Sequence, residues 1–138
     1  MAISLHPVTY ITILNSKIHR ARVTSADRHY EGSISIDTNL MKAADLAHHQ
    51  HVHVWNVTNG SRFETYVIPA PKGSGVIQIN GAAAHHAKKG NLVIISSFAH
   101  IPQQQARKHK PLIIFVDEKN RIKEISRKSG RSDPLPVS

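Results

Sequence analysis

Apolar and polar residues alternate with a period of two over Ile18 to Thr24 and again over Ser33 to Asp37, the pattern of half-buried strands. Val52-His53-Val54-Trp55-Asn56-Val57 repeats it, and Thr58-Asn59-Gly60-Ser61 carries an Asn-Gly turn signal into a further strand from Arg62 to Ile68. Strands are also predicted at Val76 to Ile79, Leu92 to Ser97 and Leu112 to Val116. The period becomes helical only briefly, where Asp37 or Thr38 can cap a helix through Asn39 to Leu46. Lys72-Gly73-Ser74-Gly75 reads as a turn rather than a phosphate-binding loop. Many short strands without a long helix predict a mainly β fold, a small closed barrel.

At 138 residues and 40% hydrophobic, the chain fits one domain with a real core. The absence of cysteine excludes disulfides, thiolate nucleophiles and cysteine-ligated zinc or iron–sulfur sites. No apolar run approaches the roughly 18 residues of a membrane span. His6 and Pro7 interrupt the N-terminal apolar residues, so a secretory signal is not expected and a cytoplasmic location is. The net charge of +9 raises a nucleic-acid partner as an alternative. However, residues 119–131 carry six basic side chains against Glu124, more than half of the excess, and no aromatic-rich RNA-binding signature accompanies them. The expected organisation is a barrel domain over 1–117 and a basic, mobile extension over 118–138, with no nucleic acid or membrane as partner.

His49, His51 and His53 fall on one face of a strand, the His-x-His spacing used by some zinc enzymes. Val52 and Val54 take the opposite, core-like face, so the histidines are predicted to face solvent and no metal is expected. A metal-dependent lyase is the weaker enzymatic alternative. A serine hydrolase is disfavoured because Ser33 is not in a Gly-x-Ser-x-Gly elbow.

The strongest chemical signal is Gly32-Ser33, within Tyr30-Glu31-Gly32-Ser33-Ile34-Ser35-Ile36-Asp37. A hydroxyl one residue past a glycine carbonyl can attack it, and glycine neither shields that carbonyl with a Cβ nor resists strained dihedrals. Further blocks stand in order around it: Lys17 to Asp27, Trp55 to Gly60, Arg62-Phe63-Glu64-Thr65-Tyr66 and Asn80-Gly81-Ala82-Ala83-Ala84-His85. From about Tyr10 to about Pro111 the chain resembles the pyruvoyl-dependent aspartate 1-decarboxylases, which make β-alanine for pantothenate and coenzyme A. The resemblance implies a six-stranded double-psi β-barrel with short helices, L-aspartate as substrate, and a homotetramer with active sites between neighbouring subunits. Arg28 departs from the pattern, where leucine is common.

The resemblance also implies self-processing. Ser33 Oγ attacks the Gly32 carbonyl, an N-to-O acyl shift gives an ester, and β-elimination with hydrolysis leaves a β chain of 1–32 and an α chain of 33–138. The α chain then begins with a covalent pyruvoyl group, an electron sink for the pair left on carbon by decarboxylation. By the same resemblance Thr65 and Asn80 assist cleavage, Thr65 by polarising the Gly32 carbonyl, and Thr65 also contacts substrate. Arg62 grips a substrate carboxylate, with Lys17 as a second basic group. Tyr66 protonates the carbanion, a role that suits a phenol with an ordinary pKa near ~10. Amides near Ala82 and Ala83 contact the substrate or the pyruvoyl end, and His19, Tyr30 and Trp55 line the site. Whether cleavage is spontaneous or needs a maturation factor is left open by the sequence.

Overall fold

The computed structural model describes residues 7–127. Its strands are β1 (Tyr10–Arg22), β2 (Ser25–Asp27), β3 (Ser33–Asp37), β4 (His51–Asn56), β5 (Arg62–Ala70), β6 (Ile77–Asn80), β7 (Leu92–Pro102), β8 (Leu112–Val116) and β9 (Ile122–Arg127), with one α-helix, α1 (Thr38–Ala43). They run across the sheet in the order β2-β6-β3-β5-β4-β7-β1-β8-β9. Pairing is parallel for β1–β8, β2–β6 and β3–β5 and antiparallel elsewhere. The mainly β character with short helices agrees with the alternating sequence pattern. Nine strands are distinguished among the described residues, where the resemblance implies six barrel strands.

Alternation places the β-branched residues on one face. Ile34 and Ile36 of β3, Val52 and Val54 of β4, Val67 of β5 and Ile77 and Ile79 of β6 are all fully buried in one cluster with Ile18, Ile95 and Ile114. Each such side chain contributes about 1.5–3 kcal/mol relative to exposure. The long β1 was legible only in its second half. Its register slips between Leu14 and Ser16 and again between Ile18 and Ala21, with Arg20 at φ 61°, so a strict period of two does not run through it.

Helix α1 stops earlier than its apolar spacing predicts, at Ala43 rather than Leu46. Asp37 caps its start by accepting from Asn39 N–H at 2.8 Å. At its end the Leu46 N–H reaches Met41 C=O and the Asp45 N–H reaches Lys42 C=O, with Asp45 at φ 54°. This is the reverse-turn cap usually signalled by glycine, here occupied by aspartate.

The expected boundary at 117/118 differs from what the chain does. Residues Ile122–Arg127 form β9 on β8, and the turn before it is anchored by the buried Asn120. The Asn120 amide donates to Arg22 C=O and Gly75 C=O, each at 2.8 Å, and its oxygen accepts from Arg22 N–H at 2.7 Å. A solvated tail has no need of such bonds, and charge alone hid the strand. The remainder of the expected extension, 128–138, lies outside the described residues.

Candidate active site

Ser33 opens β3, and because Ile34 and Ile36 point into the core, Ser33 and Ser35 point to the opposite face. The antiparallel register with β6 pairs Ser33 with Asn80 and Ser35 with Gln78, so all four polar side chains share that face. The Asn80 amide donates to both Ser33 Oγ and Ser35 Oγ, each at 3.0 Å. Its orientation is set from behind, since Asn80 Oδ1 accepts from Gln78 Nε2 at 2.8 Å and Gln78 Oε1 accepts from Ser25 Oγ at 3.1 Å. Ser33 Oγ in turn donates to Glu31 C=O at 3.0 Å. The hydroxyl is fully buried, although Tyr30, Glu31 and Gly32 beside it are exposed.

The positive backbone dihedral at this loop belongs to Gly81, with φ 70°, and not to Gly32. A Cβ on Gly81 would lie 2.6 Å from Gly32 Cα, 2.7 Å from Gly32 N and 2.9 Å from Tyr30 O, whereas a Cβ on Gly32 would meet nothing within 4 Å. The conformational demand expected of Gly32 is therefore met across the contact by Gly81. Sequence reading saw Gly81 only as part of a turn; its signal was the Asn80-Gly81 step straight after a strand. Gly81–His85 form a short 3-10 helix without a side-chain cap, because Asn80 Oδ1, the atom that would accept from its first N–H groups, accepts from Gln78 Nε2 instead. Ala82 on this turn is exposed and Ala83 half-buried.

Parallel pairing of β3 with β5 begins at Ile34 opposite Val67, so Ser33 and Tyr66 are the residues immediately before that pair. Tyr66 is half-buried, its ring 5.7 Å from that of His49. Thr65 is paired with the buried Val52 and so turns to the other face of β5. Among the described residues it makes no side-chain hydrogen bond to Gly32 or Ser33.

The remaining predicted residues lie apart from this cluster. Arg62 is at the far end of β5, four residues and about 13 Å of strand from Tyr66, exposed, with its guanidinium 5.1 Å from the Trp55 ring centroid. Lys17 is half-buried on β1, with β5, β4 and β7 between it and β3. His19 packs edge-on against Phe115 at 5.6 Å, and its Nδ1 is buried without a hydrogen bond. Burial first, then the charges of Lys17 and Arg20, hold its pKa below the ordinary imidazole value. Tyr30 is 53% exposed. One chain thus gathers Ser33, Asn80, Gly81 and Tyr66 around the Gly32-Ser33 bond, and no hydrogen bond or ion pair among the described residues joins Lys17 or Arg62 to them.

What this arrangement can do follows from its donors and acceptors. A buried hydroxyl with a fixed amide donor on its oxygen is localised, and an amide donor can also stabilise negative charge on oxygen as it develops. On the neighbouring strand Tyr66 carries a phenol level with it, the turn after β6 has uncapped N–H groups, and among the described residues no carboxylate is hydrogen-bonded to the hydroxyl.

Comparison with known proteins places these features in a family. A family model described as aspartate decarboxylase matches residues 9–123. The aspartate 1-decarboxylase of Leptothrix cholodnii is 53% identical over 123 residues, covering 89% of this chain and 90% of that protein. That of Legionella pneumophila (strain Lens) is 49% identical over 132 residues, covering 95% and 99%, and that of Syntrophotalea carbinolica is 56% identical over 108 residues, covering 78% and 82%. The chain belongs to the aspartate decarboxylase family.

Proposed function

We propose that the protein decarboxylates L-aspartate to β-alanine and carbon dioxide, after cleaving itself between Gly32 and Ser33 and converting Ser33 into a pyruvoyl group. The observation that carries this reading, in a chain of this family, is the buried Ser33 hydroxyl held by the Asn80 amide at the start of β3. In the uncut chain Asn80 fixes Ser33 Oγ, and Gly81 admits the backbone of Tyr30 to Gly32 into close contact. Attack on the Gly32 carbonyl requires the hydroxyl to leave its bond to Glu31 C=O and surrender its proton. Asn80 keeps the oxygen localised meanwhile, and Thr65, which turns to the other face of β5 in the uncut chain, assists at the carbonyl after moving toward it.

The pyruvoyl group supplies the sink for the electron pair that decarboxylation leaves on carbon. The residues supply the rest. Arg62 binds a substrate carboxylate through its planar fork, Lys17 adds a second positive charge, and Tyr66 delivers a proton to carbon from its phenol. Uncapped N–H groups at Ala82 and Ala83 are suited to a carboxylate or carbonyl oxygen. His19, Tyr30 and Trp55 line the site.

The separation of Lys17 and Arg62 from Ser33 within one chain supports active sites assembled between neighbouring subunits of a homotetramer. Mixed pairing, with β1–β8, β2–β6 and β3–β5 parallel, supports reading the core of the sheet as a six-stranded double-psi β-barrel. A cytoplasmic location suits the biosynthetic reaction, and among the described residues no helix is long and apolar enough to cross a membrane. The test of the reading is production of β-alanine from L-aspartate by the purified, fully cleaved protein, abolished in Ser33→Ala.

A further inference from the structure

The histidine stripe on β4 acquires a carboxylate in the fold. His51 and His53 point outward while Val52 and Val54 are fully buried, as alternation requires. His49 leaves the stripe, because it precedes the strand at φ 70° and stacks on His48. In its place the antiparallel register sets Glu64 of β5 directly opposite His53. Glu64 Oε1 lies 2.7 Å from His51 Nε2 and 3.5 Å from His53 Nε2, and one donor atom from each of the three residues lies within 4.8 Å of the others.

Two imidazoles and one carboxylate on adjacent strands form a donor set for a first-row divalent metal. Around a tetrahedral ion with bonds of about 2.0–2.1 Å, neighbouring donor atoms stand about 3.4 Å apart. The His53–Glu64 separation already matches, and the His51–Glu64 pair would open by about 0.7 Å. The rings are preplaced: His53 meets the edge of Phe98 at 5.2 Å, and the His51 and His53 ring centroids are 5.0 Å apart. Beside them is a cavity of about 280 Å³ lined by Thr12, Gln50, His51, His53, Phe98 and His100, which leaves space for water on the open side of an ion.

We infer that His51, His53 and Glu64 bind one divalent transition-metal ion per chain, beside Tyr66, which the register of β4 and β5 sets opposite His51. The inference rests on the sheet register and does not depend on the decarboxylase reading. Without metal the same atoms form a hydrogen-bonded Glu64–His51 pair, and that is the competing account.

Zinc titration of the full-length protein by calorimetry, after chelator treatment and dialysis, tests it. The parent and a His48→Ala/His49→Ala control should show one tightest site per chain with equal affinity. His51→Ala/His53→Ala and, separately, Glu64→Gln, which removes charge at nearly constant volume, should each weaken it by more than about 10-fold, since even outer partners of a metal site cost that much. Zinc should raise the melting temperature of the parent but not of the double-histidine variant. Cobalt substitution should give the intense visible absorption of a four- or five-coordinate ion. Zinc affinity unchanged in His51→Ala/His53→Ala, no binding by the parent, or a cobalt spectrum like that of the hydrated ion would overturn the proposal.

Discussion

Asn80 and Ser33 face each other across the antiparallel pair of β6 and β3, and the Asn80 amide donates to the Ser33 hydroxyl at 3.0 Å. Gln78 holds the amide from its oxygen side, so the donor cannot flip away without breaking a second bond. This bond is the basis of the processing role proposed for Asn80. Asn80→Ala should slow chain cleavage at least about 10-fold, in line with loss of a preorganised donor to developing negative charge. Loss of the amide also leaves Ser33 and Ser35 without their donor, at a cost of about 1–3 kcal/mol in stability. Gel densitometry of the cut fraction over time checks the rate, and cleavage at the parent's rate would remove Asn80 from processing.

Gly81 separates backbone strain from steric contact. Gly81 (φ 70°) and Gly60 (φ 81°) both occupy the left-handed region, yet a Cβ meets Gly32 at 2.6 Å in one case and open space in the other. Gly60→Ala should cost about 1 kcal/mol and still cleave; Gly81→Ala should cost more and lose cleavage because the Gly32 backbone must move. Denaturant melts and gels of both variants decide it. Normal cleavage in Gly81→Ala would show that the contact does not shape the scissile bond.

Tyr66 stands level with Ser33 on the neighbouring strand, where a proton donor to carbon would be needed. Tyr66→Phe should therefore yield two chains as the parent does while losing most β-alanine formation. Retained turnover, or failure to cleave, would reassign the phenol.

Arg62 is expected to select for the second carboxylate of aspartate. Arg62→Lys keeps the charge but not the two-pronged donor geometry or the stacking over Trp55. Self-processing should persist, with kcat/KM for aspartate reduced about 10–100-fold, equivalent to about 1.5–3 kcal/mol for a charge-assisted contact. Steady-state assays on fully cleaved protein check this. Parent-like kinetics would transfer the carboxylate to Lys17.

Much of this was legible because it follows from local rules. Alternation located β3, β4, β5 and β6 to within a residue or two, and the Gly32-Ser33 step with its surrounding blocks located the chemistry. What escaped was non-local or concealed by residue type. The alternation of β1 was interrupted by its register shifts, and α1 was closed by Asp45 where glycine is the usual sign. Strand β9 was masked by Lys123, Glu124 and Arg127, because an outer strand paired on one side tolerates exposed charge. Gly81 against Gly32 is a contact between segments distant in sequence, which a linear pattern does not contain, and Glu64 opposite His53 depends on the register of the β4–β5 hairpin, which its turn signal alone does not fix.

The central claim is that Ser33 is the precursor of the pyruvoyl group, and intact mass spectrometry of the purified parent beside Ser33→Ala tests it most directly. The account predicts two fragments from the parent, one ending at Gly32 and a larger one beginning at the former Ser33 without an N-terminal amine, and a single uncut chain from Ser33→Ala. A parent that forms β-alanine while staying whole, or a Ser33→Ala protein that still splits between residues 32 and 33, would contradict it.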